Sequence, residues 1–425
     1  MTAVGVEGLA VQLAGEIGAG EEALAALPPP EERDPDARAR AAEAHRVNRR
    51  ARTRFLRRHA ERVYRELTDD LRIHRTLDDL LGVTAERYPG LVPTPAQITE
   101  ERSRTQSRKE GREIDQGIFL GEILRLPRAG AHLLAAQQAP TEHALRLLDD
   151  FRRTGEAGLE TVHLLRRDGV GYLTVHNTRY LNAEDDQLGQ DMETAVDLVL
   201  LDDAVHVGVV RGGAMTHPRY RDRRVFNSGM NLTHLYNGQI SYVGFVLGRE
   251  VGYINKIFRG GTIAGRPVEK PWVAAVDSFA IGGGMQLLLV FDHVVACDDS
   301  YFSLPAVQEG IVPGAANLRL PRLVGGRLAR QLLLGGDRIP ADDPRARLWC
   351  DSVMPADAME AAVAEAAGRL DSAAVVSNRR MLRLAEEPDT LFQRYLAAFA
   401  VEQVQRMYSQ DVLERLEMAW VRRHR

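Results

Sequence analysis

Between Pro271 and Asp299 the chain reads PWVAAVDSFA, IGGGMQLLLVF and DHVVACDD in succession. The outer pieces are short apolar runs rich in Val, and the middle one is three glycines leading into an apolar helical run. Two strands joined by a helical crossover of this length lie in one sheet and run parallel, which commits this part of the chain to an α/β layout. The neighbouring stretches agree. TVHLLRR-DG-VGYLTVH, Thr161–His176, gives two β-rich runs around Asp168-Gly169, a hairpin signal. VHVGVVRGG, Val205–Gly213, reads as a buried strand ending in glycines, and apolar spacing predicts helices over about Ala183–Asp202 and Ile240–Phe258.

On either side the pattern is helical. About the first 155 residues are rich in Ala, Arg, Glu and Leu and contain no convincing strand. After the breaker Pro28-Pro29-Pro30, Ala37–Leu71 reads as one long amphipathic helix with Phe55, Val63 and Leu67 facing inward. Its arginines alternate with Glu and Asp, the mark of a solvated face rather than an RNA-binding stripe. Thr141 is placed to N-cap a helix reaching Phe151, and Gly111–Gly121 and Arg125–Gly130 read as separators between helices. Helical spacing returns from about Ala356, and Leu391–Arg423 is suited to docking on a partner. The expected division is a helical domain over 1–157, an α/β core over 158–355 and a helical oligomerisation segment over 356–425. A net charge of −4 over 425 residues argues against bulk nucleic-acid binding. No run approaches the roughly 18 apolar residues of a membrane span, and the N-terminus lacks the basic-then-apolar pattern of a secretory leader. Cys297 and Cys350 make no disulfide framework. A reduced, cytoplasmic protein with neither membrane nor nucleic-acid partner is expected.

The chain carries no G-x-x-x-x-G-K-[ST], no strand followed by G-x-G-x-x-G and no H-E-x-x-H. His59-Ala60-Glu61 reads as part of a solvated helix face rather than a ligand pair. The expectation is therefore no metal and no organic cofactor. What the chain offers instead is main chain. A strand ends at Val276 and a helix begins in Gly282-Gly283-Gly284, so the unpaired N–H groups of its first turn favour an anion there. VFNSGMNLTHL, Val225–Leu235, is a second glycine-centred turn before a helical run. Two N–H groups from two such turns, converging on one oxygen, make an oxyanion hole suited to a thioester enolate.

HNTRYLNAEDD (His176–Asp186), VFNSGMNL (Val225–Leu232) and the long stretch from Val276 to Gly325, in this order, resemble the crotonase (enoyl-CoA hydratase/isomerase) superfamily over about residues 160–355. The resemblance implies a ββα spiral core and homotrimers or homohexamers. It makes the N–H groups of Met230 and Gly283 the oxyanion donors. Ser228, Gly229, Asn231, Leu232, Thr233, Ile281 and Gly282 would border the acyl group, and Thr178, Arg179, Tyr180 and Leu181 the CoA, with Asn177 where the family has an Arg. The chain also departs from the family: Gln286 and Ala306 occupy the places of the two catalytic glutamates of the hydratases. Neither side chain serves as an acid or base at neutral pH, which speaks against ordinary water addition. Together with the N-terminal helical extension, the versions FNSGMNLTHLY and GGGMQLLLVFD are similar to the superfamily's oxygenase branch. That likeness implies a dioxygenase with O2 and the CoA thioester as substrates and no cofactor. It would turn 3,5-dihydroxyphenylacetyl-CoA into 3,5-dihydroxyphenylglyoxylate and supply dihydroxyphenylglycine to a peptide antibiotic. Two other readings keep the fold: a non-redox acyl-CoA hydrolase or isomerase, and an inert CoA-binding scaffold.

Individual side chains can be placed around this centre. Gln286 both donates and accepts, which suits a substrate oxygen. Glu184 reads as an acceptor for a ring hydroxyl or, alternatively, as a helix N-terminal Glu facing solvent. Arg249 follows an apolar helical run; it reads as a ligand for a phenolate or ring hydroxyl, or as half of an ion pair with Glu250 or Asp222. His217 lies on the loop after a strand's carboxyl end, where α/β sites concentrate, or is a plain surface histidine. Arg219, Tyr220 and Arg224, with Arg221 and Arg223, read as contacts for CoA phosphates or as a solvated loop. Leu232, Val243, Ile281 and Leu287 read as a dry pocket for O2 or as ordinary core.

Overall fold

The structure is a computed structural model and describes residues 6–423. The chain divides into two units. The first comprises residues up to Gln137 with Thr233–Gly244 and Thr390 onward; the second comprises Gln138–Leu232 and Phe245–Asp389. No described helix is long and apolar enough to cross a membrane.

The first unit is helical. Its longest helix, Pro35–Leu67, is capped by Asp34, which accepts from the Ala37 N–H at 2.7 Å, with Pro35 at its first position. Phe55, Val63 and Leu67 face inward as the spacing predicts. The stretches read as separators are helical instead, over Glu113–Leu124 and Pro127–Ala136. Gly117 is not a break but a close crossing point: a Cβ there would stand 2.7 Å from the Ala400 carbonyl oxygen on the helix Asp389–Met407.

The second unit is built on a seven-stranded sheet in the order Glu156–Gly158, Val162–Arg167, Val170–Val175, Val207–Gly212, Trp272–Val276, His293–Cys297, Ser352–Met354. The first three strands pair antiparallel, through the hairpin at Asp168 (φ 52°) and Gly169 (φ 76°); the others join in parallel. Both faces are covered. Along Trp272–Val276, Trp272, Ala274 and Val276 enter a core shared with Leu188, Met192 and Val199 of the helix Asp186–Leu201. Val273 and Ala275 enter the opposite core, under Met359, Val363 and Ala366 of the helix Met359–Leu370. A smaller sheet stands beside it, with Phe279–Ile281 parallel to Tyr301–Ser303 and the latter antiparallel to Arg338–Pro340. The helices Met359–Leu370 and Ala373–Glu386 belong to the second unit, whereas Gln410–Arg423 belongs to the first.

Two helix boundaries differ from the sequence reading and shape the site. The helix expected from Ala183 starts at Asp186, because the Asp185 side chain caps it, accepting from the Leu188 N–H at 3.1 Å. The helix expected over Ile240–Phe258 is broken at Gly252 (φ −91°, ψ −119°) into Gly248–Val251 and Tyr253–Arg259. A Cβ on Gly252 would meet the Glu193 carboxylate at 2.3 Å and the Gly248 carbonyl oxygen at 2.8 Å.

Candidate active site

The two glycine turns come together. Asn227 forms a parallel bridge with Ala280, donating its N–H to the Phe279 carbonyl (3.2 Å) while its own carbonyl accepts from Ile281 (3.0 Å). Gly229 (φ 85°) and Gly282 (φ 53°) then touch: a Cβ on Gly282 would stand 3.4 Å from Gly229 Cα, and one on Gly229 3.2 Å from the Ile281 carbonyl oxygen. Positive φ and close approach at the same two points call for residues without side chains.

Backbone bonds also fix which N–H groups are left over. Glu184 bridges to Met230, its N–H donating to the Gly229 carbonyl (2.8 Å) and its carbonyl accepting from Asn231 (2.7 Å). That ladder brackets Met230 and leaves the Met230 N–H on the other edge, with no backbone acceptor among the described residues. The Gly282 N–H is taken by Ser303, and the first bond of the helix Gly283–Leu288 is Gln286 N–H to the Gly282 carbonyl. The Gly283 N–H therefore belongs to an open first turn. Met230 and Gly283, one residue beyond each of the touching glycines, are the pair the sequence proposed.

Beneath Gly283 lies a buried ion pair. Starting the helix at Asp186 leaves Glu184 in the bridge rather than on a solvated helix turn, so the solvent-facing reading of Glu184 is overturned: it is 1 % exposed. Its carboxylate lies 2.9 Å from the Arg249 guanidinium and accepts from the Tyr253 hydroxyl at 3.1 Å. Arg249 is thus paired, but with Glu184 rather than Glu250 or Asp222. It also donates to the Gly283 carbonyl at 3.3 Å and sits 5.9 Å from the centre of the Phe245 ring. A Cβ on Gly283 would fall 1.7 Å from Glu184 Oε2, so the pair is seated directly against the turn. Burial pushes the Glu184 carboxyl above the ordinary carboxylate range, against the pull of Arg249 and Tyr253. Burial also raises the Tyr253 phenol, which stays protonated as a donor. Glu184 Oε2 is the oxygen that meets the guanidinium, while Arg249 Nε has no hydrogen-bond partner among the described residues.

Gln286 and Ala306 are both buried. Gln286 points toward Gly314 (φ 45°), where Glu250 also arrives. Sequence reasoning took Glu250 only as a partner for Arg249 and missed Tyr253 and Asn227. The Arg249–Tyr253 spacing of four was a legible signal of one helix face. Asn227 Oδ1 accepts from the Gly229 N–H at 2.7 Å and shapes the turn itself.

The proposed CoA residues lie on two segments, Thr178–Leu181 and Arg219–Arg224. Thr178–Tyr180 form a single tight turn, followed by Leu181 (φ 55°), and Ser228 donates to the Tyr180 carbonyl at 3.2 Å. Leu181, Tyr220 and Ile281 pack with Phe279 and Tyr301 in one apolar cluster. Arg179 is exposed and lies 5.3 Å from the Tyr180 ring; Arg219 lies 5.5 Å from the Tyr220 ring. Arg224 faces Glu360 at 3.8 Å, and Arg223 bonds Asp299. His217 is exposed and accepts from the Arg219 N–H at 3.2 Å; no bond joins it to the Glu184–Arg249 pair among the described residues. Leu287 belongs to the main core rather than to the cluster of Ile281, and Thr233 and Val243 belong to the helical unit. One trio of described side chains brings metal-capable atoms within 4.8 Å of one another: Cys297, Asp298 and Asp299, the last bonded to Arg223.

Residues 166–386 match the sequence model of the enoyl-CoA hydratase/isomerase family. The chain is 56% identical over 397 residues to a (3,5-dihydroxyphenyl)acetyl-CoA 1,2-dioxygenase of Amycolatopsis orientalis, covering 92% of each chain. It is 29% identical to a crotonyl-CoA hydratase of Syntrophomonas wolfei, over 54% of this chain and 82% of the relative. In fold it is similar to the crystal structure of an enoyl-CoA hydratase from Bacillus halodurans, with a TM-score of 0.51 and 21% identity over 61% of this chain and all of the other. The paired turns, the bridge at Glu184 and the substituted positions Gln286 and Ala306 all fall inside the matched region, and the chain belongs to the enoyl-CoA hydratase/isomerase family.

Proposed function

We propose that this chain is a cofactor-independent dioxygenase that converts 3,5-dihydroxyphenylacetyl-CoA and O2 to 3,5-dihydroxyphenylglyoxylate and CoA. The observation that carries the reading is 56% identity to the Amycolatopsis orientalis dioxygenase over 92% of the chain, helical unit included. The geometry supplies a chemical rationale. The thioester oxygen sits between the N–H groups of Met230 and Gly283, so loss of a Cα proton gives an enolate whose charge meets preorganised donors. The enolate, delocalised into ring and thioester, passes one electron to O2, and the radical pair closes to a Cα peroxide. The distal peroxide oxygen attacks the thioester carbonyl and expels CoA thiolate. Cleavage of the O–O bond with loss of the second Cα proton leaves the α-keto acid. Gln286 and Ala306 put no acid beside the carbanion to quench it. Arg249, whose Nε has no hydrogen-bond partner among the described residues, and Glu184 beside it receive the ring hydroxyls.

Under ¹⁸O2, one labelled oxygen is expected in the ketone and one in the carboxylate of the product, with turnover surviving chelation. Equal turnover without O2 would leave the hydrolase or isomerase reading standing. The exposed Met381, Leu382 and Leu384 on Ala373–Glu386 favour self-association through the C-terminal segment. Sedimentation of an M381K/L384K chain tests that, since an unchanged oligomer would remove this helix from the interface.

A further inference from the structure

Gln286 Oε1 and Glu250 Oε1 converge on one point. A Cβ on Gly314 would lie 2.5 Å from the first and 2.3 Å from the second. Both residues are buried, and neither oxygen has a hydrogen-bond partner among the described residues. Two buried acceptors beside the same backbone point, neither with a donor, form an arrangement that proteins avoid. The other oxygen of Glu250 accepts from the Ala315 N–H at 3.2 Å and lies 3.9 Å from the Arg319 guanidinium, which is in turn held by Glu387 at 3.0 and 3.2 Å. Turning the Gln286 amide, whose nitrogen and oxygen have nearly the same shape, sets a donor toward the free oxygen of Glu250 and keeps these contacts.

We propose that Glu250 is a positioning residue that takes the Gln286 amide nitrogen and thereby turns the Gln286 carbonyl oxygen toward the substrate, making it an acceptor for a ring hydroxyl. The proposal rests on the dioxygenase reading for the identity of that hydroxyl. It makes Glu250 a determinant of specificity that never touches the substrate: the carboxylate decides which end of the amide the ligand meets.

The test is calorimetric binding of two non-reactive thioether analogues of the CoA ester, one with a 3,5-dihydroxyphenyl ring and one with a plain phenyl ring. E250Q frees the amide to turn either way. It should weaken the dihydroxy analogue about tenfold, as for one lost hydrogen bond, and leave the phenyl analogue within about twofold. Q286A should show the same ring-dependent loss, and E250Q should add nothing in the Q286A background. Equal weakening of both analogues, no weakening, or a full additional loss in Q286A would overturn the assignment. E250D, which keeps the charge but withdraws it by one methylene, is a second variant with the same expected direction should E250Q not fold. A ligand-free readout separates this proposal from the dioxygenase reading. The Gln286 side-chain amide resonance, identified by its loss in Q286A, should lie downfield and move on E250Q or E250D. Failure of both analogues to bind wild-type protein sinks the dioxygenase reading alone, whereas an unmoved amide resonance sinks the role of Glu250 alone.

Discussion

Removing both members of the Glu184–Arg249 pair should cost clearly less than the sum of the two single removals. The charges approach to 2.9 Å and the two side chains are 2% and 6% exposed. At an effective dielectric near 20, that separation corresponds to about 6 kcal/mol of attraction, part of which is offset by taking both ions out of water. Arg249 has no other anionic contact within salt-bridge distance among the described residues, its remaining bond being to the Gly283 carbonyl. Glu184→Gln keeps the shape of the side chain but strands a buried guanidinium, for an expected loss of about 3–5 kcal/mol, and Arg249→Met strands the carboxylate at a similar cost. The double variant should recover at least about 2 kcal/mol relative to the sum of the single losses. Urea unfolding followed by the fluorescence of Trp272 and Trp349, both buried in the second unit, measures the cycle. Single losses within about 1 kcal/mol that simply add, as exposed pairs behave, would refute the claim that a buried, mutually dependent pair underlies the Gly283 turn.

Met230→Pro deletes an N–H that lies outside the Glu184 ladder, so kcat should fall on the order of 10²–10³ with little change in melting temperature; undiminished turnover would remove Met230 from the oxyanion hole. Lys256→Met should destabilise the second unit by about 3–5 kcal/mol in urea, because the buried Lys256 ammonium lies 2.5 Å from Glu193 and 2.6 Å from Asp197, and both carboxylates would be left unpaired. Glu110 belongs to the helical unit. Burial there opposes ionisation, but His45 at 2.7 Å and Arg33 at 3.0 Å outweigh it and hold the carboxyl down at about 2. A folded value below the ordinary 4.5 means stability present above pH 4.5 and lost as pH falls toward 2, so melting temperatures should drop across that window and Glu110→Gln should flatten the drop; parallel slopes would deny Glu110 the role.

How much of this was legible in the sequence follows from where the determinants lie. The two glycine turns could be read because each is encoded within a few residues, around Gly229 in one and Gly282 and Gly283 in the other. The parallel strands could be read because Val207–Gly212 and Trp272–Val276 are apolar on both faces, as two cores demand. Glu184 and Arg249 could be nominated as polar residues in apolar company, but not paired. Their meeting leaves Glu184 outside the helix that starts at Asp186 behind its cap Asp185, and Tyr253, beyond the break at Gly252, donates to the same carboxylate. At Gly252 itself, the Glu193 carboxylate, held by Lys256, fills the space a side chain would need. The contact of Glu250 with Gln286 was still less accessible, since it gathers residues 250, 286 and 314 from three segments. Local conformation is written in local sequence, whereas the direction of a buried amide is written in whichever charge the fold brings beside it. For that reason Gln286 could be nominated from its own segment, whereas, on the proposal made above, the end of its amide turned to a ligand is set by Glu250, from another segment.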